Sequence, residues 1–590
     1  FEDEEIDLSD YTALVGANGA GKSTILCALN ILFRETENST TNTSDLDKED
    51  FHLLDTSKPI TVTVTFTGLD EKARQLFADY CRQDTLVISA KAVFDEETGR
   101  ATVQQYGQRL GMSDFRYYFA ADAEGALAPE LKEKYAAMRA KYPGLPDVKV
   151  KDAMKAALRD FEDAHPELCE LIPSKDQFYG FSKGANRLAQ CVQWVYVPAV
   201  KDATKEQLEA RTTALGRLLA RTVRNAVKFD EELAKLQADT LTQYQQMLAD
   251  RQQPLTDLSD KLQARLSDWA HPDVKVNLSW QQDPKRAVQI EEPFARMIAG
   301  EGDFEGELAR FGHGLQRSYL LALLQELAAA DDEDAPTLIL GIEEPELYQH
   351  PPQAKHLAGV LQTLSEANTQ VIVSTHSPYF VNGRGFEAVR VVRKIPADKK
   401  SIVRQVTVGD VNAAVTAARG EPPAALDLAL ARLNQALQPS LSEMFFTPRL
   451  ILVEGLEDEA LITSWLVLTG RWDDFRRRGC HIVPVNGKSE LIQPLVIAQK
   501  LEIPAFVIFD ADGSYASKPN QAPQHERDNR ALLTLLGENA AQPFPPGALW
   551  GNAHAVWPEN IADMLAADVG QQRWDQLNTL ANKQFGHPKN

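Results

Sequence analysis

Residues 14–30, LVGANGAGKSTILCALN, constrain the chain more than any other stretch. Gly16, Gly21, Lys22 and Ser23 fill the diagnostic places of G-x-x-x-x-G-K-[ST], with an apolar-periodic run behind them. YTALVG (11–16) reads as a short strand entering the loop, and the helix is expected from about Lys22. A strand, a glycine turn and a helix N-terminus in that order aim backbone amides at phosphate. Lys22 adds a point charge and the Ser23 hydroxyl can hold magnesium, with Asn18, Gly19, Gly21 and Thr24 completing the cradle. The competing reading, a glycine turn without a ligand, weakens as further elements are added.

At 590 residues the chain exceeds one hydrophobic core, and about three or four domains are expected. Cys27, Cys81, Cys169, Cys191 and Cys480 are far apart with no C-x-x-C pair, against both a disulfide framework and a structural zinc site. A cytoplasmic protein without a membrane span is expected, since no apolar run approaches the roughly 20 residues a bilayer demands. The formal charge of -22 argues against coating nucleic acid by bulk electrostatics, but does not exclude DNA as a substrate.

PITVTVTFTGL (59–69) and TLVISAKAVF (85–94) alternate apolar and polar residues, as antiparallel strands of the first domain would. The polar segment 35–50 reads as a surface loop. From 202 to 270 apolar residues recur at three and four spacing, predicting two long helices broken near Gln253-Pro254. That hairpin is either a packed subdomain or a dimerisation arm. Strand signals follow at VKVNLSW (274–280), TLILGIEEPE (337–346), VIVSTHSP (371–378) and RLILVEG (449–455), the last opening a fresh strand-helix alternation.

TLILGIEEPE delivers Glu343 and Glu344 to the end of an apolar strand, where one acid can hold magnesium through water and the next can orient an attacking water. His376 stands at the end of the next strand, suited to a γ-phosphate contact. The order GANGAGKS, FGHGLQRSYLLALLQEL, LILGIEEPE and STHSP resembles ABC-type ATPases of the recombination-repair and SMC branch. The resemblance implies ATP as the nucleotide. Two departures stand out: Glu343 replaces the usual first aspartate, and Gly312-His313-Gly314-Leu315-Gln316 replaces a serine-glycine-glycine core.

A second acidic constellation lies downstream. Glu454 ends an apolar strand, with Asp458 four residues on and expected on the same helix face. Asp510 and Asp512 lie just past the strand in PAFVIFDADGS, and residues two apart in an extended segment face the same way. Oxygen donors so grouped suit magnesium or manganese, and two cations about 4 Å apart can drive phosphodiester cleavage. Residues 448–590 resemble the Toprim fold, and the whole chain resembles the OLD (overcoming lysogenization defect) family of nucleases.

The resemblance implies an α/β protein with an ABC-type ATPase domain (1–201 and 271–400), an inserted helical arm (202–270), a linker (401–447) and a Rossmann-like Toprim domain (448–590). It implies metal-dependent DNA cleavage under ATP control, in a homodimer or higher homo-oligomer, often in phage defence, alone or beside a helicase-like or reverse-transcriptase partner. Glu454, Asp458, Asp510 and Asp512 would hold metal, with Glu559 as the later acid and Asp563 its competitor. Lys589, or Lys583, would match a late transition-state lysine, and Gly487-Lys488 would shape the pocket or simply lie at the surface. A tether that holds DNA without cutting is the alternative, although it has no need of the acidic cluster. The scattered cysteines disfavour a primase, and no tyrosine-bearing cleavage domain is legible for a topoisomerase.

Overall fold

The computed structural model describes the chain except residues 37, 40, 79, 82–83, 124, 175–186, 201–212, 225–228, 270–272, 274, 282, 284–287, 289, 292, 303, 330–334, 367–368, 382, 384, 396–398 and 587–590. Two compact units divide it: Phe1–Lys201 with Ala335–Asn590, and Asp202–Asp334.

In the first unit a six-stranded sheet runs Lys400–Arg404, Val389–Ile395, Tyr11–Val15, Thr369–Ser374, Thr337–Glu343, Val192–Val197 from edge to edge. All neighbours are parallel except the first pair. Tyr11–Val15 is buried at every residue, as a strand covered on both faces must be. Parallel pairing brings the strand ends that follow Val15, Glu343 and Ser374 to one edge, and it is there that a doubly wound sheet binds ligands. Gly16 begins the phosphate loop beside Val392, whose carbonyl oxygen would lie 2.1 Å from any added Cβ, so only glycine fits. Helix Lys22–Phe33 buries Ile25, Leu26 and Leu29 against Leu14, Trp194, Tyr196 and Ile372.

A separate antiparallel sheet contains Ile60–Phe66, Leu86–Ala92 and Ala101–Gly111, the first two pairing as the alternation predicted. The 35–50 segment is mostly irregular, with only Asp45–Leu46 as strand and Lys48–Asp50 as a short helical turn. Helices Arg116–Ala123, Ala128–Lys141 and Lys151–Ala164, unforeseen from the sequence, enclose their own core of Phe115, Tyr118, Leu131, Tyr135 and Leu158.

The second unit holds helices Asp230–Asp250 and Gln253–Asp268, broken where predicted, and helix His313–Ala329. The strand expected at 274–280 does not form over its described residues 275–280. Its backbone is satisfied by the hairpin instead: Leu278 N–H donates to Ser259 Oγ (2.8 Å), Leu278 O accepts from Gln252 Nε2 (2.6 Å), and Val276 N–H reaches Gln263 Oε1 (3.2 Å). Side-chain partners took the place of a neighbouring strand.

The C-terminal sheet of the first unit is ordered Cys480–Pro484, Arg449–Val453, Ala505–Asp510, His554–Trp557, Leu549–Trp550, with only the last strand antiparallel. Helices Val408–Arg419 and Leu426–Ala436 precede it, and the former packs on helices Ile492–Lys500 and Ala522–Leu536. Thr407 and Asp410 close a capping box at the start of Val408–Arg419, and Gly420 ends that helix at φ 66°. No helix among the described residues is long and apolar enough to cross a membrane.

Candidate active sites at two sheet edges

At the first edge Lys22, Glu344, Glu346 and His376 converge. Lys22 is buried, and its Nζ donates to Gly16 O (2.9 Å) and Ala17 O (3.2 Å), carbonyls of its own loop. Burial pulls its pKa down to about 8 against the opposing pull of Glu344 and Glu346. Asn18, Gly19, Ser23 and Thr24 lie exposed around it, and Gly21 takes φ 113° at the helix start. Glu344 sits in the left-handed region at φ 42°, an unfavourable conformation for glutamate that the surrounding turn imposes. Its Oε1 is 3.4 Å from His376 Nε2.

Glu343 points elsewhere. Its Oε2 accepts from Ala199 N (3.4 Å), and it also hydrogen-bonds the Tyr196 hydroxyl. Glu346, which sequence reasoning left without a role, is also held at this edge. It accepts the His376 N–H (2.7 Å) and a Thr375 hydrogen bond, while its buried Oε2 has no partner. Burial raises its pKa, and burial likewise lowers that of His376, aided by Lys22. The third acid of IEEPE was the available signal, but a proline between Glu344 and Glu346 hides which way each one turns.

At the second edge, Glu454 follows strand Arg449–Val453 and Asp510 ends the neighbouring strand. The Asp510 N–H donates to Glu454 Oε1 (2.7 Å), so the two carboxylates occupy adjacent parallel strand ends. Burial raises Glu454 to about 7, with Lys488 opposing. Burial, then the charges of Glu454 and Asp458, raise Asp510 to about 8.

Asp458 does not share a helix face with Glu454, because the helix starts only at Leu456. Asp458 sits in its first turn, and its Oδ2 accepts the Gly455 N–H (2.9 Å) as a cap. Asp512 is not in extended backbone either; at φ 54° and ψ 49° its side chain leaves the alternation with Asp510. Its Oδ2 lies 2.6 Å from Lys488 Nζ and 3.1 Å from His525 Nδ1.

Lys488 is therefore not a surface lysine. It is buried, and also donates to Asp510 O (2.6 Å). His525, unflagged by the sequence, stacks on Tyr515 with ring centroids 4.5 Å apart. Asn529 Nδ2 holds Ala511 O (2.8 Å), so each residue of Asp510-Ala511-Asp512 is gripped. Glu559 Oε2 accepts the Ser514 N–H (3.1 Å), which brings it to the turn after Asp512, whereas Asp563 is engaged with Asn560 at a helix start. Lys583 is exposed near the end of helix Gln571–Phe585, and Lys589 lies outside the described residues.

The donor set here is all carboxylate, which fits a hard divalent cation in kind. Among the described residues, however, no three His, Cys, Asp or Glu side chains form a ready cage. Asp512 is engaged with Lys488 and His525 instead of closing one.

Residues 1–381 match the AAA ATPase domain family, and residues 445–512 match the TOPRIM domain of overcoming lysogenization defect protein-like proteins. The Old nuclease of Escherichia phage P2 is 23% identical over 522 residues, covering 86% of this chain and 74% of the relative. The OLD nuclease of Thermus scotoductus is 24% identical over 593 aligned residues, covering 97% and 94%. Endonuclease GajA of Bacillus cereus is 24% identical over 191 residues, covering 30% and 26%.

Proposed function

The chain belongs to the AAA ATPase-domain family and carries an OLD-like TOPRIM domain match at residues 445–512, and on that premise we propose that it is an ATP-dependent nuclease cutting DNA with magnesium or manganese. The observation that carries this reading is that Glu454, Asp510 and Lys488 meet beyond the ends of three adjacent parallel strands of one sheet. Glu454 and Asp510 would hold the metal, with Asp458 and Glu559 within the surrounding turns. A bound divalent cation there would neutralise phosphate charge and make a water more acidic. Lys488 fixes the Asp510-Ala511-Asp512 turn and brings positive charge to it, and His525 stands beside Asp512.

At the other edge, Lys22, Ser23 and the loop amides bind ATP phosphates. Glu344 orients water there and His376 contacts the γ-phosphate, while Glu343, the carboxylate the sequence offered for magnesium, would have to give up Ala199 N and the Tyr196 hydroxyl to take that role. Nucleotide state controls cleavage, with the sign set by whichever conformation ATP binds better. Helices Asp230–Asp250 and Gln253–Asp268 leave Leu236, Met247, Leu258 and Leu262 exposed, which supports a dimerisation arm and hence a homodimer. The family resemblance makes antiphage defence the biological setting of this reading.

Cleavage of supercoiled plasmid with magnesium or manganese, with and without ATP, tests the proposal. Metal-dependent cutting lost on Asp510→Ala supports it. Cutting that survives Asp510→Ala and Glu454→Ala together would assign the nuclease elsewhere. ATP-dependent DNA retention with no cutting under any condition would favour the tether.

A further inference from the structure

Apart from both sheet edges, a cavity of about 450 Å³ opens between helices Val408–Arg419 and Leu426–Ala436 and the Toprim segments around Ser489 and Gln524–Asp528. Its volume falls within the roughly 300–1,000 Å³ of pockets that take small ligands. Three guanidinium groups, Arg419, Arg432 and Arg527, come to its wall from three different elements. Arg419 donates through Nη2 to Ser489 O (3.3 Å), while its buried Nε has no partner. Arg432 makes no hydrogen bond or ion pair with any described residue and stands exposed.

Three carboxylates on the wall equal these three charges in number, but among the described residues the one ion pair between the two sets is a long one. Asp528 accepts the Ser489 hydroxyl (2.5 Å), Glu421 reaches Arg527 only at 4.0 Å, and Glu490 completes the set. Asn412, Gln493 and Gln524 supply amides, and Val408, Val411 and Leu433 an apolar surface. Guanidinium groups recognise phosphate, amides and a carboxylate recognise a base edge, and the apolar surface accepts a ring face.

We propose that this cavity is a second nucleotide site, taking a nucleoside phosphate independently of the phosphate loop. Ser489 directly follows Lys488, whose Nζ holds Asp510 O and Asp512. A phosphate that drew Arg419 off Ser489 O would shift the turn that carries Lys488, so occupancy of the cavity would be read at the acidic strand ends. That last link rests on the nuclease reading above, whereas binding itself does not.

Calorimetric titration with ATP and magnesium, without DNA, tests the site in the full chain. The unaltered protein is expected to bind two nucleotides per chain and Lys22→Ala one. Adding Arg432→Glu and Arg527→Glu to Lys22→Ala is expected to weaken the remaining site at least tenfold. Both arginines are exposed, so folding should survive, and Arg432→Gln on Lys22→Ala provides a milder second variant expected to weaken binding about fivefold. A 5′-phosphorylated trinucleotide is titrated in parallel: exclusion of it identifies a free nucleotide as the ligand, and equal binding a nucleic-acid end. If Lys22→Ala binds no ATP, or if its residual binding ignores both sets of arginine substitutions, the second site does not exist. Because no cleavage is measured, absence of nuclease activity would sink the earlier reading and leave this one standing.

Discussion

Lys488 shows how much a single side chain can hide. In the sequence it is one lysine after one glycine; in the fold Gly487, at φ 107°, turns the chain so that the ammonium reaches between Asp510 and Asp512. Its removal would take from Asp512 its hydrogen-bonded cation, leaving His525 beside it, and would remove the positive charge that holds the Glu454 pKa down. Lys488→Ala should therefore cut plasmid cleavage by about 10²-fold, in the range of losing one preorganised electrostatic contact. Lys488→Arg should not recover it fully, since a planar fork cannot copy two 2.6 Å contacts made by one nitrogen. Cleavage within about twofold of the unaltered chain, read under single-turnover conditions, would remove Lys488 from the site. The raised carboxylates give a second expectation. Glu454 and Asp510 hold protons in the folded chain up to about pH 7 and about pH 8, whereas their unfolded counterparts release them near pH 4. The folded state thus binds more protons across that window, and stability without metal falls as pH rises through it. Melting temperature in EDTA should drop between pH 5 and pH 8, and the drop should shrink in Asp510→Asn and on adding manganese. A flat profile would show that these two groups ionise as freely in the folded chain as out of it.

Elements explain why some of the site was readable and some was not. Strand ends were legible: LILGIEEPE, RLILVEG and FVIFDADG each carry an apolar run, buried throughout in the first two and at Val507 and Phe509 in the third, whose length fixes where its acids emerge, and parallel pairing then aligns them. Turns were not, because a single left-handed residue redirects everything after it. Asp512 at φ 54° leaves the two-residue alternation, and Gly455 delays the helix so that Glu454 and Asp458 never share a face. The same limit applied to 275–280, whose strand pattern was real but whose partners proved to be Ser259, Gln252 and Gln263. Helices 116–164 escaped notice although Lys151–Ala164, 14 residues long, buries Met154, Ala157 and Leu158 at helical spacing, a signal that a period reading of that segment could have found; only the core of Phe115, Tyr118 and Tyr135, shared between helices, needed the fold. The helix cap makes a prediction of its own. Asp458 is engaged with Gly455 N–H, so Asp458→Ala should cost about 1 kcal/mol of stability and leave cleavage within about tenfold. Asp510→Ala should abolish cleavage altogether. Equal loss in both, with Asp458→Ala as stable as the unaltered chain, would reassign Asp458 from cap to metal ligand.

Within the first unit, a continuous set of contacts joins the nucleotide edge to the Toprim sheet. His376 lies in the segment that leads to Val381, whose carbonyl accepts the buried Ser442 hydroxyl (3.1 Å). Gly383 is pressed so close to Asn434 that a Cβ would fall 2.1 Å from its Oδ1. The next residue after Ser442, Glu443, reaches His481 on the Toprim edge strand Cys480–Pro484 (2.7 Å), and Arg404 on the ATPase edge strand meets Glu502 (2.9 Å). Exposed ion pairs contribute little energy, so Ser442 and the Gly383 approach are the stronger links. A γ-phosphate that changed how His376 sits against Glu344 would press on this chain of contacts rather than on solvent. Coupling needs a differential affinity of ATP for two arrangements, and contiguity supplies only the means. His376→Ala should therefore bring the ratio of cleavage rates with and without ATP to about one while leaving the ATP-free, metal-dependent rate within about twofold. Lys22→Ala should do the same by preventing binding. If Lys22→Ala loses the ATP response but His376→Ala keeps it, nucleotide acts through the loop without the 376–381 segment. If both keep it in full, control comes from nucleotide bound elsewhere in the chain, and the arginine-lined cavity beside Ser489 becomes the place to look.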